Sequence, residues 1–305
     1  MQYPFFLLLA GFFSSSLYGQ NFLIREPDSA GNFEFQNVCK GKVTVTSGSY
    51  EVLKGQPVKF MTKWGRSKDG KFFWTNGENI YQFHFNSQKT EIISSNWHFI
   101  VEFYVCDSAA YIVYNPSRQE GEHDNRYSPG LRFCCLNLNN GHRTNYQFPN
   151  NINFTNLSIS PDRMWAVFVN TIFTTDENVK KYQLVLYDLK AGSVQIIDSG
   201  ITSKDQWFGN DDKYNSCFWP SNTVLIYYKH MRKGDNGSIL SYNILSKKIE
   251  PAINSIPERD FTWFGYFHHA FFFSNRTSIY KTVNGRDKEI IVGNTKNRVL
   301  EAVLY

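Results

Sequence analysis

Five times along this chain of 305 residues an apolar stretch runs into a tight polar turn, restarts as a second apolar stretch and closes with a hairpin of alternating side chains. The clearest copy runs from Leu157 to Phe168 and, after a loop, from Tyr182 to Ile197. Period-two alternation marks strands, so each copy predicts a four-stranded antiparallel unit. Such a unit has two faces and cannot cover both alone. Repetition therefore predicts units stacked face to face, and in an all-β chain with corresponding turns about 40 to 60 residues apart this means a propeller.

The first unit is expected to begin near Val58, turn at Ser67-Lys68-Asp69-Gly70 and end with Ile80 to Phe85 and Lys89 to Ile93. The second runs from Ile100 to Val105, turns at Asp107-Ser108-Ala109, and closes with a hairpin from Leu131 to Phe148 across Asn140-Gly141, a strong hairpin signal. In the third, Ser160-Pro161-Asp162 has a local physical basis, because proline presets φ while aspartate bonds backbone amides just beyond it. The fourth starts at Tyr214, passes Trp219-Pro220-Ser221-Asn222, and turns again at Ser246-Lys247-Lys248. The fifth uses Phe261 to Tyr266, Ala270 to Ser274, and a hairpin from Ser278 to Val292. Two pieces remain: a strand-like tail, Arg298 to Tyr305, and a segment from Phe33 to Leu53 with room for up to three strands. Together they make a sixth blade, which predicts a six-bladed ring closed by pairing of the two chain ends, so that no edge is left open. A seven-bladed ring with a degenerate unit and a β-sandwich array are the competing architectures.

Aromatic residues form 17% of the chain, and runs such as Phe271-Phe272-Phe273 and Phe72-Phe73-Trp74 read as the filling between blades. The formal net charge of +5 raises the question of nucleic acid, but basic residues are scattered among acids, and the small clusters Met231-Arg232-Lys233 and Val179-Lys180-Lys181 fall in loops. No nucleic-acid partner is expected. Residues Met1 to Gln20 read as an export signal, with an apolar core from Pro4 to Phe13 and small or polar residues up to Gln20, where the mature chain is expected to begin. That core is too short to span a bilayer, so no stable membrane insertion is expected. The organisation predicted is a signal over residues 1–20 and a single propeller domain over 21–305.

Export would put Cys39, Cys106, Cys134, Cys135 and Cys217 in an oxidising compartment. Their number is odd, and the adjacent pair Cys134-Cys135 would point to opposite faces of a strand, so free, mostly buried thiols are expected. No spacing suggests a zinc site, and no cofactor is expected. Four sequons start at Asn153, Asn156, Asn236 and Asn275, and they establish nothing about glycosylation by themselves.

Ser160-Pro161-Asp162 before an apolar strand, with Leu186-Tyr187-Asp188-Leu189-Lys190-Ala191-Gly192 in the following hairpin, resembles the TolB-type, WD40-like repeat of bacterial six-bladed propellers. Ser67-Lys68-Asp69-Gly70-Lys71 matches that turn with lysine in the proline position, whereas Cys106-Asp107-Ser108 and Trp219-Pro220-Ser221 keep fragments of it. The resemblance spans residues 58 to 292 at the level of the repeat. It implies a periplasmic or secreted protein acting through contacts on a loop face. The separate amino-terminal domain of TolB has no counterpart here, so TolB's own role is not implied.

Connections alternate between the two ends of a blade, and the long ones here share one end: 115–130, 170–181, 199–213, 229–237 and 254–260. They carry the residue types of a recognition surface. The candidate partner-binding residues are Trp97, His98, Arg126, Tyr127, Trp207, Asp211, Asp212, Arg232 and Arg259, with Asp205 and Asp260 beside them. For Trp97 and Trp207 the competing role is to cap the apolar layer between blades. Enzymatic alternatives are weaker. Sialidase-like propellers carry Ser-x-Asp-x-Gly-x-x-Trp, and Ser67 to Trp74 approaches it with the glycine one place early. Asp211, Asp212 and Asn215 could face the channel mouth of a metal-dependent hydrolase, and His268-His269, read as strand residues, would diverge. No Gly-x-Ser-x-Gly elbow occurs. The two readings are thus an exported, monomeric, non-catalytic propeller binding a protein or cell-envelope partner, and a propeller enzyme acting on glycans or small metabolites.

Overall fold

The computed structural model describes residues 22–27, 33–39, 42–45, 63–66, 71–84, 89–116, 130–147, 152–175, 180–201, 207–208, 217–230, 237–253, 263–267, 269–275, 278–292 and 301–304. Their regular elements are all β-strands. At the amino-terminal end lie β1 (Phe22–Pro27), β2 (Phe33–Cys39) and β3 (Lys42–Val45). Next come β4 (Lys63–Arg66), β5 (Phe72–Thr75), β6 (Ile80–His84) and β7 (Lys89–Ser94). They are followed by β8 (Ile100–Cys106), β9 (Ala109–Tyr114), β10 (Arg132–Asn137) and β11 (Arg143–Tyr146). The middle of the chain forms β12 (Phe154–Ile159), β13 (Trp165–Phe173), β14 (Lys180–Asp188) and β15 (Val194–Ile201). Then follow β16 (Trp207–Phe208), β17 (Cys217–Ser221), β18 (Val224–His230), β19 (Ser238–Asn243) and β20 (Lys248–Pro251). The last strands are β21 (Trp263–Phe267), β22 (Ala270–Asn275), β23 (Ser278–Thr282), β24 (Glu289–Val292) and β25 (Glu301–Leu304).

Consecutive strands pair into antiparallel sheets: β4 to β7, β8 to β11, β12 to β15, and β21 to β24 are four-stranded, while β18, β19 and β20 are joined by both β16 and β17 on the free side of β18. A further four-stranded sheet has the order β25-β1-β2-β3 and combines the two ends of the chain. The first strands of successive sheets lie side by side, β4 with β8, β8 with β12, β12 with β17, β17 with β21, and β21 with β25. This is the arrangement of a β-propeller with four-stranded antiparallel blades, the first strand of each innermost.

The second strands β9, β13 and β18 explain why repetition is obligatory. On β9, Ala109, Tyr111 and Val113 pack into one apolar layer with Phe154, Phe168 and Tyr187 of the next sheet. The alternate residues Ala110 and Ile112 pack into a different layer with Phe73 and Ile80 of the preceding sheet. Strand β13 divides the same way: Ala166 and Phe168 face the β8 to β11 sheet, whereas Val167 and Val169 meet Leu225 and Tyr227 of β18. So does β18, whose Ile226 and Tyr228 turn instead to Phe271 and Phe273 of β22. Because successive side chains point to opposite faces, a strand covered on both sides must be apolar at every position. At about 1.5–3 kcal/mol for each large apolar side chain taken from water, these layers dominate the favourable side of folding. Close approach is also required where innermost strands meet, since a Cβ on Gly65 of β4 would lie 2.8 Å from Val105 Cγ2 of β8.

The corners repeat as faithfully as the layers. At the end of the third strand in three successive blades, Asn137, Asp188 and Asn243 each use Oδ1 to accept two backbone amides of the following turn. Four residues later the chain is left-handed, at Gly141 (φ 71°), Gly192 (φ 69°) and Lys247 (φ 57°). The residue after each Asx, namely Leu138, Leu189 and Ile244, donates its N–H to the first-to-second-strand corner through Ser108, Met164 and Thr223 oxygens at 2.8, 2.9 and 2.9 Å. The Ser160-Pro161-Asp162 corner behaves as the sequence implied: Met164 N donates to Asp162 Oδ1 at 3.1 Å, and Ser160 Oγ accepts from Trp165 N at 2.9 Å.

Three expectations need correction. The strand that bonds the carboxy-terminal tail lies outside Phe33 to Leu53: it is β1, whose Phe22 to Arg25 face Leu304 to Glu301 of β25, and Phe33–Cys39 comes one strand further out. Pro27 is tolerated because it lies beyond the four residues that β25 reaches. The fourth unit begins earlier than Tyr214, since β16 already occupies the edge of β18, with Trp207 opposite His230. His269 is not a strand residue, since it sits in a turn with φ 59° just before Ala270 begins its strand, and His268 lies outside the described residues. Deleting residues 298–305 removes the partner of β1 and should lower the melting temperature and cause aggregation. Unchanged melting of a truncated chain that stays monomeric would show that the β1–β25 pairing contributes nothing to stability.

Candidate functional site

Antiparallel alternation sends the second-to-third-strand connections and the connections between sheets to the same end of the blades. The residues joining β9 to β10 (115–131), β13 to β14 (174–179), β15 to β16 (202–206), β18 to β19 (231–237) and β20 to β21 (252–262) therefore leave from one face, while the opposite face carries the tight corners. Of the sequence-derived candidates, Arg126, Tyr127, Asp211, Asp212, Arg232 and Arg259 lie outside the described residues, as do Asp205, Asn215 and Asp260. Trp207 lies in β16, and the chain between Phe208, opposite Lys229, and Cys217, opposite Tyr227, leaves and rejoins the same edge of β18.

Of the two roles considered for Trp97, the geometry is that of the inter-blade cap. Its side chain is 4% exposed and packs with Phe73, Ile80, Ile100 and Phe103. Its indole Nε1 donates to Ser94 Oγ at 2.9 Å, and its ring meets Tyr114 edge-on at 5.2 Å. The Arg143 guanidinium covers both rings, 4.7 Å from Trp97 and 4.5 Å from Tyr114. Two left-handed residues, Asn96 (φ 64°) and His98 (φ 60°), turn the backbone so that Trp97 points inward and His98 stays exposed. Trp97 N and Ile100 N then donate to Glu78 and Gly77 oxygens, tying this connection to the neighbouring turn.

The sequence reading passed over a buried polar centre at the same end of the innermost strands. Glu102 on β8 is 5% exposed, Asn156 on β12 is 3% exposed, and Asn156 N donates to Glu102 Oε1 at 3.3 Å. Both strands depart from regular register at this level, β8 between Ile100 and Glu102 and β12 between Thr155 and Ser158. Asn156 adopts φ 60°, and its Oδ1 is buried without a hydrogen-bond partner among the described residues. Beside it, Asn153 Nδ2 donates to the Thr171 oxygen at 2.6 Å, Asn153 N donates to Asn170 Oδ1 at 3.0 Å, and Asn170 Nδ2 donates to Gln183 Oε1 at 3.0 Å. The signal available in sequence was a lone acid in an apolar strand, Ile100-Val101-Glu102-Phe103, together with amides at the head of the next innermost strand.

A second polar group joins two sheets. Lys229 Nζ contacts Asp198 Oδ1 at 2.7 Å with both side chains largely buried, and Tyr227 donates its hydroxyl to Asp198 Oδ2 at 2.9 Å. Burial, followed by the Asp198 charge and the hydrogen bond to it, pushes the Tyr227 hydroxyl well above its usual pKa. Burial pushes the Cys106 thiol up to about 11 and the Cys134 thiol up to about 12, which makes both poor nucleophiles. Cys134 packs on one face of β10 and Cys135 on the other, as adjacent strand positions require. Among the described residues no group of three or more His, Cys, Asp or Glu converges as a metal site.

No family model matches the sequence, and no curated protein matches it. Solved structures do resemble it. A chain of a nidogen–laminin complex superposes with TM-score 0.55 at 8% identity, covering 94% of this chain and 98% of that one. A structure given as TolB from Agrobacterium tumefaciens gives TM-score 0.52 at 9% identity over 94% and 97%, and an oligogalacturonate lyase in complex with manganese gives 0.50 at 10% over 87% and 72%. At such identities the likeness concerns the fold, and it agrees with the strand pairing in making this chain a β-propeller.

Trp97→Ala should destabilise the protein by about 3–5 kcal/mol in denaturant unfolding, the usual cost of emptying a large buried aromatic site. Arg143→Ala should cost less, about 0.5–2 kcal/mol, because it removes a partly solvated cation from two ring faces.

Proposed function

We propose that this protein is an exported, non-catalytic β-propeller that binds a protein or cell-envelope partner through the face from which the long connections leave. In this reading the β25-β1-β2-β3 sheet is a sixth blade that closes the ring, so that the blades hold the connections as one rigid platform. The observation that carries the proposal is the topology: connections of several blades, rich in aromatic and charged residues, begin and end on one face. Trp207 starts the split edge of β18, and Arg126, Tyr127, Asp211, Asp212, Arg232 and Arg259 fall in neighbouring connections. Tryptophan, tyrosine and arginine supply most anchors of protein interfaces. The apolar segment before Gln20 supports export, and resemblance to the TolB-type repeat supports a periplasmic or secreted location.

The second reading, a propeller enzyme acting on a glycan or small metabolite, is favoured by the buried Glu102–Asn156 centre. A carboxylate and an amide beside an irregular backbone suit ligand binding, yet among the described residues no three His, Cys, Asp or Glu converge there. Partner capture from a cell-envelope extract separates the readings. With the mature chain as bait, Trp207→Ala combined with Arg232→Ala should weaken a captured partner by a few kcal/mol in total, given about 2 kcal/mol or more for a hot spot. Undiminished capture by the folded double variant would refute the rim proposal, and turnover lost on changing Asp211 or Asp212 would favour the enzyme.

A further inference from the structure

We propose that Glu102 and Asn156 form a binding site for a hard divalent cation of the calcium class, located among the innermost strands and independent of partner binding on the rim. The chemistry begins with the unmet acceptor. Asn156 Oδ1 is buried without a partner among the described residues, and leaving such an acceptor unpaired is unfavourable. Glu102 is bonded to this residue, its carboxylate accepting the Asn156 backbone amide at 3.3 Å. Carboxylate and amide oxygens both accept, so what the two side chains can share is a cation or a donating water. Calcium-class ions are held by carboxylate and amide oxygens with water completing the shell. An all-oxygen pair favours such an ion over zinc, which prefers nitrogen and sulfur.

The backbone independently marks the place. Bulges re-aim side chains, and here two adjacent innermost strands are irregular at one level. Asn156 also holds a left-handed φ of 60°, a conformation that residues other than glycine seldom adopt. Flanking amides are fixed by their own bonds, Asn153 to Thr171 and Asn170 to Gln183, and so frame the centre. With a single carboxylate the affinity belongs at the weak end for such ions, about 10⁻⁴–10⁻³ M.

The test uses the full chain, stripped with chelator and titrated separately with calcium and magnesium chloride, followed by calorimetry and by melting temperature. Calcium should raise the melting temperature saturably and more than magnesium. Asn156→Gly removes the oxygen while accommodating the left-handed backbone, and Glu102→Gln removes the charge at constant shape. Each should weaken binding about tenfold or more, whereas Asn156→Asp should tighten it by adding charge. A parent protein without saturable response, or one whose response survives in both Asn156→Gly and Glu102→Gln, would overturn the site. Neither result depends on whether the rim binds a partner.

Discussion

The packing of one sheet against the next is the constraint on which everything else in this molecule rests. The second strands β9, β13 and β18 each serve two interfaces at once, as Tyr111 and Ile112 do on β9 or Phe168 and Val169 on β13. A single blade of this kind would expose both of its apolar faces to water, so stability is a property of neighbours and not of units. The amino- and carboxy-terminal strands fit the same logic. By pairing Phe22–Arg25 with Glu301–Leu304, the chain assembles from its two ends a sheet that neither end could form alone.

Because the layers fix the strands, polar features can be concentrated at the strand ends. The two faces are used differently. On one, the Asx-capped corners at Asn137, Asp188 and Asn243 hold short turns in nearly identical geometry. On the other, sequence length is spent on connections, and the described residues there include the tied turn of Asn96 to His98 and the Glu102–Asn156 centre. The Asp198–Lys229 contact shows that charge is admitted between blades where it is paired, here with a tyrosine hydroxyl completing the group. Removing one member of such a pair would leave the other buried and uncompensated.

Strand repetition was legible because period two and turn chemistry are local properties. The unit around Ser160-Pro161-Asp162 has its four strands in the places the sequence indicates, although each extends further, as β13 does to Phe173, and the opposed faces of Cys134 and Cys135 follow from the same periodicity. The first strand was missed because Phe22 to Pro27 directly follows the apolar leader-like segment, which hides its periodicity. A two-residue strand has no period, so the sequence places Trp207 in a connection, and only pairing with His230 defines β16. For Trp97, sequence left open whether an aromatic in a connection faces solvent or core; the left-handed residues on either side decide it. Glu102 and Asn156 could not be joined by reading along the chain, because they are 54 positions apart and meet through neighbouring innermost strands. Asn156 also begins a sequon, a pattern that says nothing about its burial.

The central claim is that the two chain ends belong to the same cooperative structure as the middle blades. Native-state hydrogen exchange on the intact chain tests it directly. The account predicts that the bonded amides of β1 and β25 exchange through the same slow global opening as those of β9 and β13. Exchange of β1 and β25 orders of magnitude faster, with the middle sheets still protected, would contradict it and leave an open array of blades in place of a joined one.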